Sequence, residues 1–342
     1  MSGDRSHDRV PLLEVTDLTI GYFTASGERV VLVDSVCLRL EAGEVLCLVG
    51  ESGSGKSVTM LAVLGLLTPP LTIFSGSVKF RGRELVGADE ATMRRLRGAE
   101  LGMVFQDPMT SLNPVRRVGT QIERALAIHQ RLDARARRRR VVELLGEVGI
   151  PQPEQRSRAY PHEWSGGMRQ RAVIAMAMAN DPAVLIADEP TTALDVTIQA
   201  QLMDVLATAR ARGGAGMVLI THDLGLVAQH ADRVAIMYAG RVVETGTVWQ
   251  VFDDATHPYT RGLQRSLLGE ARAEAQGRAY AIPGSPPAPT DRPPGCRFAP
   301  RCEFPGKNGE CETATPVLAQ LSADHAIACP PAHALAGQEA SS

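Results

Sequence analysis

Hydrophobic residues run through this chain in short blocks cut by turn residues. Leu12 to Ile20 alternates enough to predict a strand, closing at Gly21-Tyr22. A polar turn from Thr24 to Arg29 leads into a second strand-like segment, Val30 to Leu40, and Ala42-Gly43 turns the chain again. Val45-Leu46-Cys47-Leu48-Val49 is an unbroken apolar run, short enough for a buried strand. An apolar stretch of helical length, Val58 to Leu67, comes soon after. Ser75 to Gly82 and Gly98 to Phe105 predict two more strands.

The pattern changes period in residues 114–180, which read as mainly helical. Val118 to Gln130 predicts one helix, and Asp133 to Val148 another, with Asp133 as N-cap and Gly149 as stop. A further helix is predicted from Ala172 to Ala179, then buried strands at Ala183 to Ala187 and Met217 to Thr221. Beyond Ala281 the chain turns Pro-rich up to Gly295, which predicts an extended connector.

Composition narrows this picture. At 342 residues the chain suits one large domain with an appendage, and 44% apolar with 22% charged residues is a globular profile. A net charge of −2 gives no bulk argument for a nucleic-acid partner. No apolar run reaches the roughly 18–20 residues that cross a bilayer. Met1 to Arg9 has no apolar core for a signal peptide, so the expected place is the cytoplasm. Of six cysteines, four fall late, at Cys296, Cys302, Cys311 and Cys329. In a reducing compartment such a group points to a metal centre before disulfides. Cys37 and Cys47 sit in strand-like apolar runs and are expected in the core.

Candidate chemistry begins at Gly50-Glu51-Ser52-Gly53-Ser54-Gly55-Lys56-Ser57, between a predicted strand and a predicted helix. This is the G-x-x-x-x-G-K-S phosphate loop in its required context. Glycines let backbone N–H groups approach phosphate oxygens, Lys56 reaches the β/γ-phosphates, and the Ser57 hydroxyl can ligate Mg²⁺. Gln106 ends a strand, where it can serve Mg²⁺ or an attacking water or be a plain loop residue. Ser165-Gly166-Gly167 before a helix is a second terminus with free N–H groups. Asp188-Glu189 ends a buried strand, so Asp188 can hold Mg²⁺ and Glu189 can polarise a water. His222 ends the following strand, where a lone His is usually structural but can face a γ-phosphate. Arg135 and Arg137 to Arg140 on one helix read as an anion-binding patch or, preferably, as a solvated face, since aromatics are absent.

With these residues placed, the sequence resembles the ATP-binding subunit of an ABC transporter over roughly residues 12–250, with the motifs in family order. The resemblance implies an α/β fold: a RecA-like P-loop ATPase core, an antiparallel β-subdomain, an inserted helical subdomain at about 107–180, and a small Cys-containing C-terminal region. It divides the chain into a flexible 1–11, a nucleotide-binding domain over 12–265, and an extension over 266–342. ATP and Mg²⁺ are implied, with Gly50, Ser52, Gly53, Gly55, Lys56 and Ser57 binding nucleotide and Tyr22 stacking on adenine. Tyr22 by itself is also an ordinary strand-end tyrosine. Ser57, Gln106 and Asp188 are implied for Mg²⁺, and Glu189, Gln106 and His222 for catalysis. Ser165, Gly166 and Gly167 are implied to cover the ATP of a second cassette packed head to tail, and Ala193-Leu194-Asp195 forms the D-loop. The family usually has Leu where Trp164 stands, a departure that leaves the backbone donors in place.

Tyr160-Pro161-His162-Glu163, Asp188 to Thr197 and His257-Pro258-Tyr259-Thr260 are similar to the dipeptide/oligopeptide-permease branch, as is the tail from Gly295 to Pro330. That branch implies uptake of peptides, or of solutes such as nickel chelates, with two transmembrane permease subunits, a related second cassette and, indirectly, an extracytoplasmic binding protein. It places the chain on the cytoplasmic face of the inner membrane, with no nucleic acid. Some members carry a [4Fe–4S] cluster, carried over here to Cys296, Cys302, Cys311 and Cys329; Zn²⁺ and free thiols are the alternatives. The tail is expected to bury little core and to stand apart from the nucleotide site. A soluble cassette acting on nucleic acid or ribosomes is the rival, but one phosphate loop and one signature loop without heptads disfavour it. A purely regulatory cassette is disfavoured by Glu189 and His222.

Overall fold

A computed structural model of the chain describes residues 10–191, 196–266, 280–304 and 307–339. The predicted blocks appear as β1 (Leu13–Phe23), β2 (Arg29–Leu40), β3 (Val45–Val49), α1 (Lys56–Val63), β4 (Thr72–Phe80) and β5 (Arg83–Glu84). Next come α2 (Glu90–Leu96), β6 (Leu101–Val104), α3 (Pro108–Ser111), α4 (Val118–His129), α5 (Ala134–Glu147), α6 (Pro153–Arg156) and α7 (Gly166–Ala177). The rest of the cassette is β7 (Val184–Asp188), α8 (Val196–Gly213), β8 (Gly216–Thr221), α9 (Leu224–His230), β9 (Arg233–Tyr238), β10 (Arg241–Thr247) and α10 (Val248–Asp253). Two short strands, β11 (Ala319–Gln320) and β12 (Ala326–Ile327), and a closing helix, Pro330–Glu339, lie in the tail. Two compact units divide the chain.

The first unit comprises 1–13, 39–44 and 79–220. It holds β8, β7 and β6 side by side, with both pairings parallel. β7 is buried along its whole length, as the apolar run Val184 to Ala187 requires of a central parallel strand. The helical stretch keeps its predicted punctuation: the Asp133 carboxylate accepts the Ala136 N–H at 2.8 Å, and Gly149 takes φ +70° after α5. Three arginines of α5 are laced to neighbouring carboxylates. Arg140 reaches Glu147 at 2.8 Å, Arg139 reaches Glu143 at 3.7 Å and Arg138 reaches Glu123 at 4.0 Å. That is the behaviour of a solvated helix face rather than of an open anion site.

The second unit comprises 14–38, 45–78 and 221–342. β2, β1 and β4 form one sheet in that order, and β11, β12, β10, β9 and β3 form another. β3 pairs with β9 in parallel, whereas β9–β10 and β10–β12 are antiparallel. A register shift between Val242 and Glu244 turns the Glu244 carboxylate inward, where it is 0% exposed. The buried charge is met by the Thr256 N–H at 2.9 Å, the His257 N–H at 3.2 Å and His325 Nε2 at 2.8 Å.

Two expectations are corrected here. The tail does not stand apart. β12 extends the β10 edge, Phe298, Arg301, Ile327 and Cys329 are buried, Arg292 Nη2 donates to the Leu32 carbonyl at 2.9 Å, and Arg297 pairs with Asp34 on β2. Short strands and buried or half-buried arginines tie it down where apolar content alone is thin. Cys37 is exposed, not core: it lies between buried Val36 and Leu38 on β2, so the two-residue period turns it to solvent, beside Asp17. Cys47 is buried as expected. Among the described residues, no helix is long and apolar enough to cross a membrane.

Candidate nucleotide site

The phosphate loop joins β3 to α1 in the second unit. At Gly50 a Cβ would collide with the Met237 carbonyl oxygen, so only glycine fits against β9. Gly55, at φ +103°, is the N-cap of α1 and offers no side-chain acceptor. The helix start thus carries no side-chain cap from Gly55 and no acidic residue in its first turn, and its dipole favours an anion there. Lys56, 5% exposed, donates from Nζ to the carbonyls of Gly50 at 2.7 Å and Glu51 at 3.0 Å. Its ammonium is thus held over the loop, where phosphates would draw it. Ser57 follows in α1 and is half-buried, Ser52 and Gly53 are exposed, and Tyr22 is half-buried near the end of β1. His222, exposed, comes directly after β8.

The acidic pair lies in the first unit. Asp188 ends β7 and is 5% exposed. Glu189 follows with φ +44°, a backbone position that non-glycine residues seldom adopt, fixed by its N–H donating to the Ile220 carbonyl at 2.9 Å. This turn swings the Glu189 carboxylate to Gln106, whose Nε2 donates to Oε2 at 3.1 Å across 83 residues of sequence. Two residues singled out independently in the sequence are thereby brought together. As oxygen donors, Asp188, Ser57 and Gln106 are of the types that Mg²⁺ takes.

The Ser165-Gly166-Gly167 loop opens α7, with Ser165 and Gly166 exposed. The Ser165 hydroxyl caps its own helix by accepting the Met168 N–H at 3.3 Å. Trp164 is 2% exposed, so the large ring is buried beneath the loop rather than obstructing it. Thr192 to Asp195, which includes the D-loop, lies outside the described residues.

The four tail cysteines gather without closing on a point. Cys296, Cys311 and Cys329 line one cavity of about 330 Å³, and the Cys296 N–H donates to the Cys311 carbonyl at 2.8 Å. Burial raises the Cys296 and Cys302 thiols, and burial together with the other three thiols pushes Cys329 up to about 12. The donor set suits a thiophilic metal. However, among the described residues no three His, Cys, Asp or Glu side chains are placed to hold an ion. A metal would have to draw these side chains together.

Three residues outside the sequence-derived set act on the phosphate loop. The Tyr259 hydroxyl accepts the Glu51 N–H at 3.0 Å, and Arg301 Nη1 donates to the Glu51 carboxylate at 3.0 and 3.2 Å. Tyr238 lies 4.6 Å from Tyr259, ring centre to ring centre, and its hydroxyl accepts from Arg301 at 3.2 Å. Tyr259 belongs to the His257-Pro258-Tyr259-Thr260 stretch noticed in the sequence, but nothing local there points to Glu51.

Residues 33–192 match the ABC transporter family, and residues 243–311 match the C-terminal region of oligopeptide/dipeptide transporters. The oligopeptide transport ATP-binding protein OppD of Mycobacterium tuberculosis is 53% identical over 320 residues, covering 93% of this chain and 52% of that protein. OppD of Bacillus subtilis is 51% identical over 294 residues, covering 86% and 82%. The chain thus spans about half the length of the mycobacterial relative. A cassette solved as a dimer in a post-hydrolysis state, bound to ADP and Pi, superposes with a TM-score of 0.62 at 26% identity, covering 69% of this chain and 98% of that one. The chain belongs to the ABC transporter family as an ATP-binding cassette, in the branch that carries the oligopeptide/dipeptide C-terminal region.

Proposed function

We propose that this chain binds and hydrolyses Mg·ATP and couples it to uptake of di- or oligopeptides through separate membrane subunits. The Gln106–Glu189 contact at 3.1 Å carries the hydrolytic reading. It puts an amide on a carboxylate that follows directly after a buried aspartate. A cassette serving only as a nucleotide sensor has no use for such a pair.

The residues divide the work by chemistry. The loop from Gly50 to Ser57 binds the phosphates through backbone N–H groups, and Lys56 exchanges its loop carbonyls for phosphate oxygens. Tyr22 supports the adenine. Ser57, Asp188 and Gln106 hold Mg²⁺, which when bound neutralises developing phosphate charge. Glu189 orients and polarises the attacking water, with Gln106 fixing one carboxylate oxygen, and His222 reads the γ-phosphate. Ser165, Gly166 and Gly167, at the start of α7, cover the nucleotide held by a second cassette, a related but non-identical chain.

Peptides as cargo follow from the relatives and from the tail region, not from any residue of this site. The partners proposed are two permease subunits, that second cassette and, indirectly, an extracytoplasmic binding protein, with this chain peripheral on the cytoplasmic face of the inner membrane. Co-purification from membranes with two hydrophobic subunits, and ATP-dependent peptide uptake by the reconstituted assembly, test the reading. ATPase activity tied to nucleic acid or ribosomes would replace it.

The same reading assigns the tail a [4Fe–4S] cluster on Cys296, Cys302, Cys311 and Cys329. Support comes from Cys296, Cys311 and Cys329, which line one cavity. Protein purified without oxygen is expected to be brown and to hold about four irons per chain. Colourless protein with one zinc overturns the cluster and leaves the ATPase reading intact.

A further inference from the structure

Glu51, the first variable residue of the phosphate loop, has every polar group tethered. Its N–H goes to the Tyr259 hydroxyl, its carbonyl accepts from Lys56 Nζ, and its carboxylate accepts from Arg301. Arg301 comes from the C-terminal extension, 250 residues away. Its side chain is 7% exposed and rigidly seated: Nε donates to the Pro283 carbonyl at 2.8 Å, Nη1 to the Tyr238 hydroxyl at 3.2 Å, and the guanidinium lies 5.7 Å from the Tyr238 ring centre. A planar fork held on three sides is a fixed reference point, which a surface lysine is not.

A carboxylate is a poor choice beside a polyphosphate site, since like charges repel. Here the charge is countered before any nucleotide arrives. We propose that Arg301 is a positioning residue for the phosphate loop: it holds the Glu51 carboxylate in place and cancels its charge, so that nucleotide affinity depends on the C-terminal extension. The inference rests on the ATP-binding reading given above. It ties a segment outside the stretch that matches the ABC family to the start of the loop, and it gives the buried Arg301 a task beyond packing. Cys302 is the next residue, so whatever orders the cysteine region also orders this contact.

The test uses the purified full-length chain with a fluorescent N-methylanthraniloyl ATP and Mg²⁺. Arg301→Met should raise the dissociation constant about fivefold or more. In the assembled transporter it should raise KM for ATP while changing kcat little. Adding Glu51→Gln to Arg301→Met should recover most of the affinity, because it removes the carboxylate left unpaired. An arginine that served only to fold the tail would show no such recovery. If Arg301→Met does not fold, Arg301→Gln, which keeps donors for the neighbouring carbonyls without the charge, carries the same two outcomes. Wild-type affinity in the single variant, or a double variant as weak as the single, overturns the proposal. Failure of the wild-type chain to bind the probe would instead sink the ATP-binding reading itself.

Discussion

Two glycine-bearing loops in this chain each open a helix, and they are built oppositely. The phosphate loop is held from outside: Glu51 is tethered through three groups, Lys56 is buried, and glycine at the N-cap brings no side-chain cap to α1. The signature loop holds itself. Ser165 caps α7 with its own hydroxyl, and both Ser165 and Gly166 face solvent. The first loop is prepared to grip an anion within its own chain. The second has already satisfied part of its terminus and presents the remainder outward, as a surface that completes a site on another molecule should. The contrast teaches that an anion-binding terminus is defined as much by what anchors its loop as by its glycines.

The strongest test of this contrast asks for chemistry without any change in grip. Glu189→Gln should leave nucleotide binding intact and reduce turnover of the assembled transporter by about 10³-fold, because the attacking water loses its anionic partner. Lys56→Ala should do the reverse and weaken binding first. Measuring nucleotide affinity and steady-state ATPase on both variants separates the two roles. Turnover near the wild-type rate in Glu189→Gln would end the assignment of Glu189.

The signature loop gives the next effect. Ser165→Arg should reduce turnover of the paired cassettes by about 10²-fold, since a bulky side chain displaces the loop from the nucleotide it covers. Affinity of the isolated chain for ATP should stay unchanged. A correctly folded Ser165→Arg chain that has lost its own ATP affinity would mean that the loop serves its own nucleotide, and the contrast drawn above would fail.

Local features were legible in the sequence and distant ones were not. The glycines of the phosphate loop, the Asp133 cap and the Gly149 stop follow from backbone geometry that few residues satisfy, so composition reveals them. Gln106 and Glu189 were each visible, as polar residues ending buried strands, but their meeting depends on the φ +44° turn at Glu189. Cys37 departs from the core expectation because its apolar neighbours on β2 suggest burial while its place in the two-residue period turns it outward. The grip of Arg301 on Glu51 left no trace at all. An ion pair 250 residues apart has no local signature, and β12, two residues long, is too short to show a period. The tail looked independent because its apolar content is low, whereas its attachment is made by arginines and backbone pairing.

The smallest expected effect probes the anchor of the first loop through pH. His257 is buried, and burial holds its pKa down to about 4, with the Glu244 charge opposing that shift only partly. Neutral His257 accepts the Tyr259 N–H on Nδ1 at 3.1 Å, and Tyr259 in turn accepts from Glu51. The unfolded chain binds this proton with a pKa near the ordinary 6.5, so between the two values the unfolded state carries more protons than the folded one. Stability from this group is therefore complete above about pH 6.5 and is lost as pH falls toward 4. Integrated from pH 7 to pH 5, the loss is about 2 kcal/mol. His257→Asn should flatten that part of the stability–pH curve while lowering stability at pH 7. Since the strain falls on Tyr259, affinity for nucleotide should weaken over the same interval, whereas the Ser165 loop, which caps itself, should keep its hydrogen-exchange protection. Equal loosening of both loops on acidification would show that His257 acts on the whole fold and not on the footing of the phosphate loop.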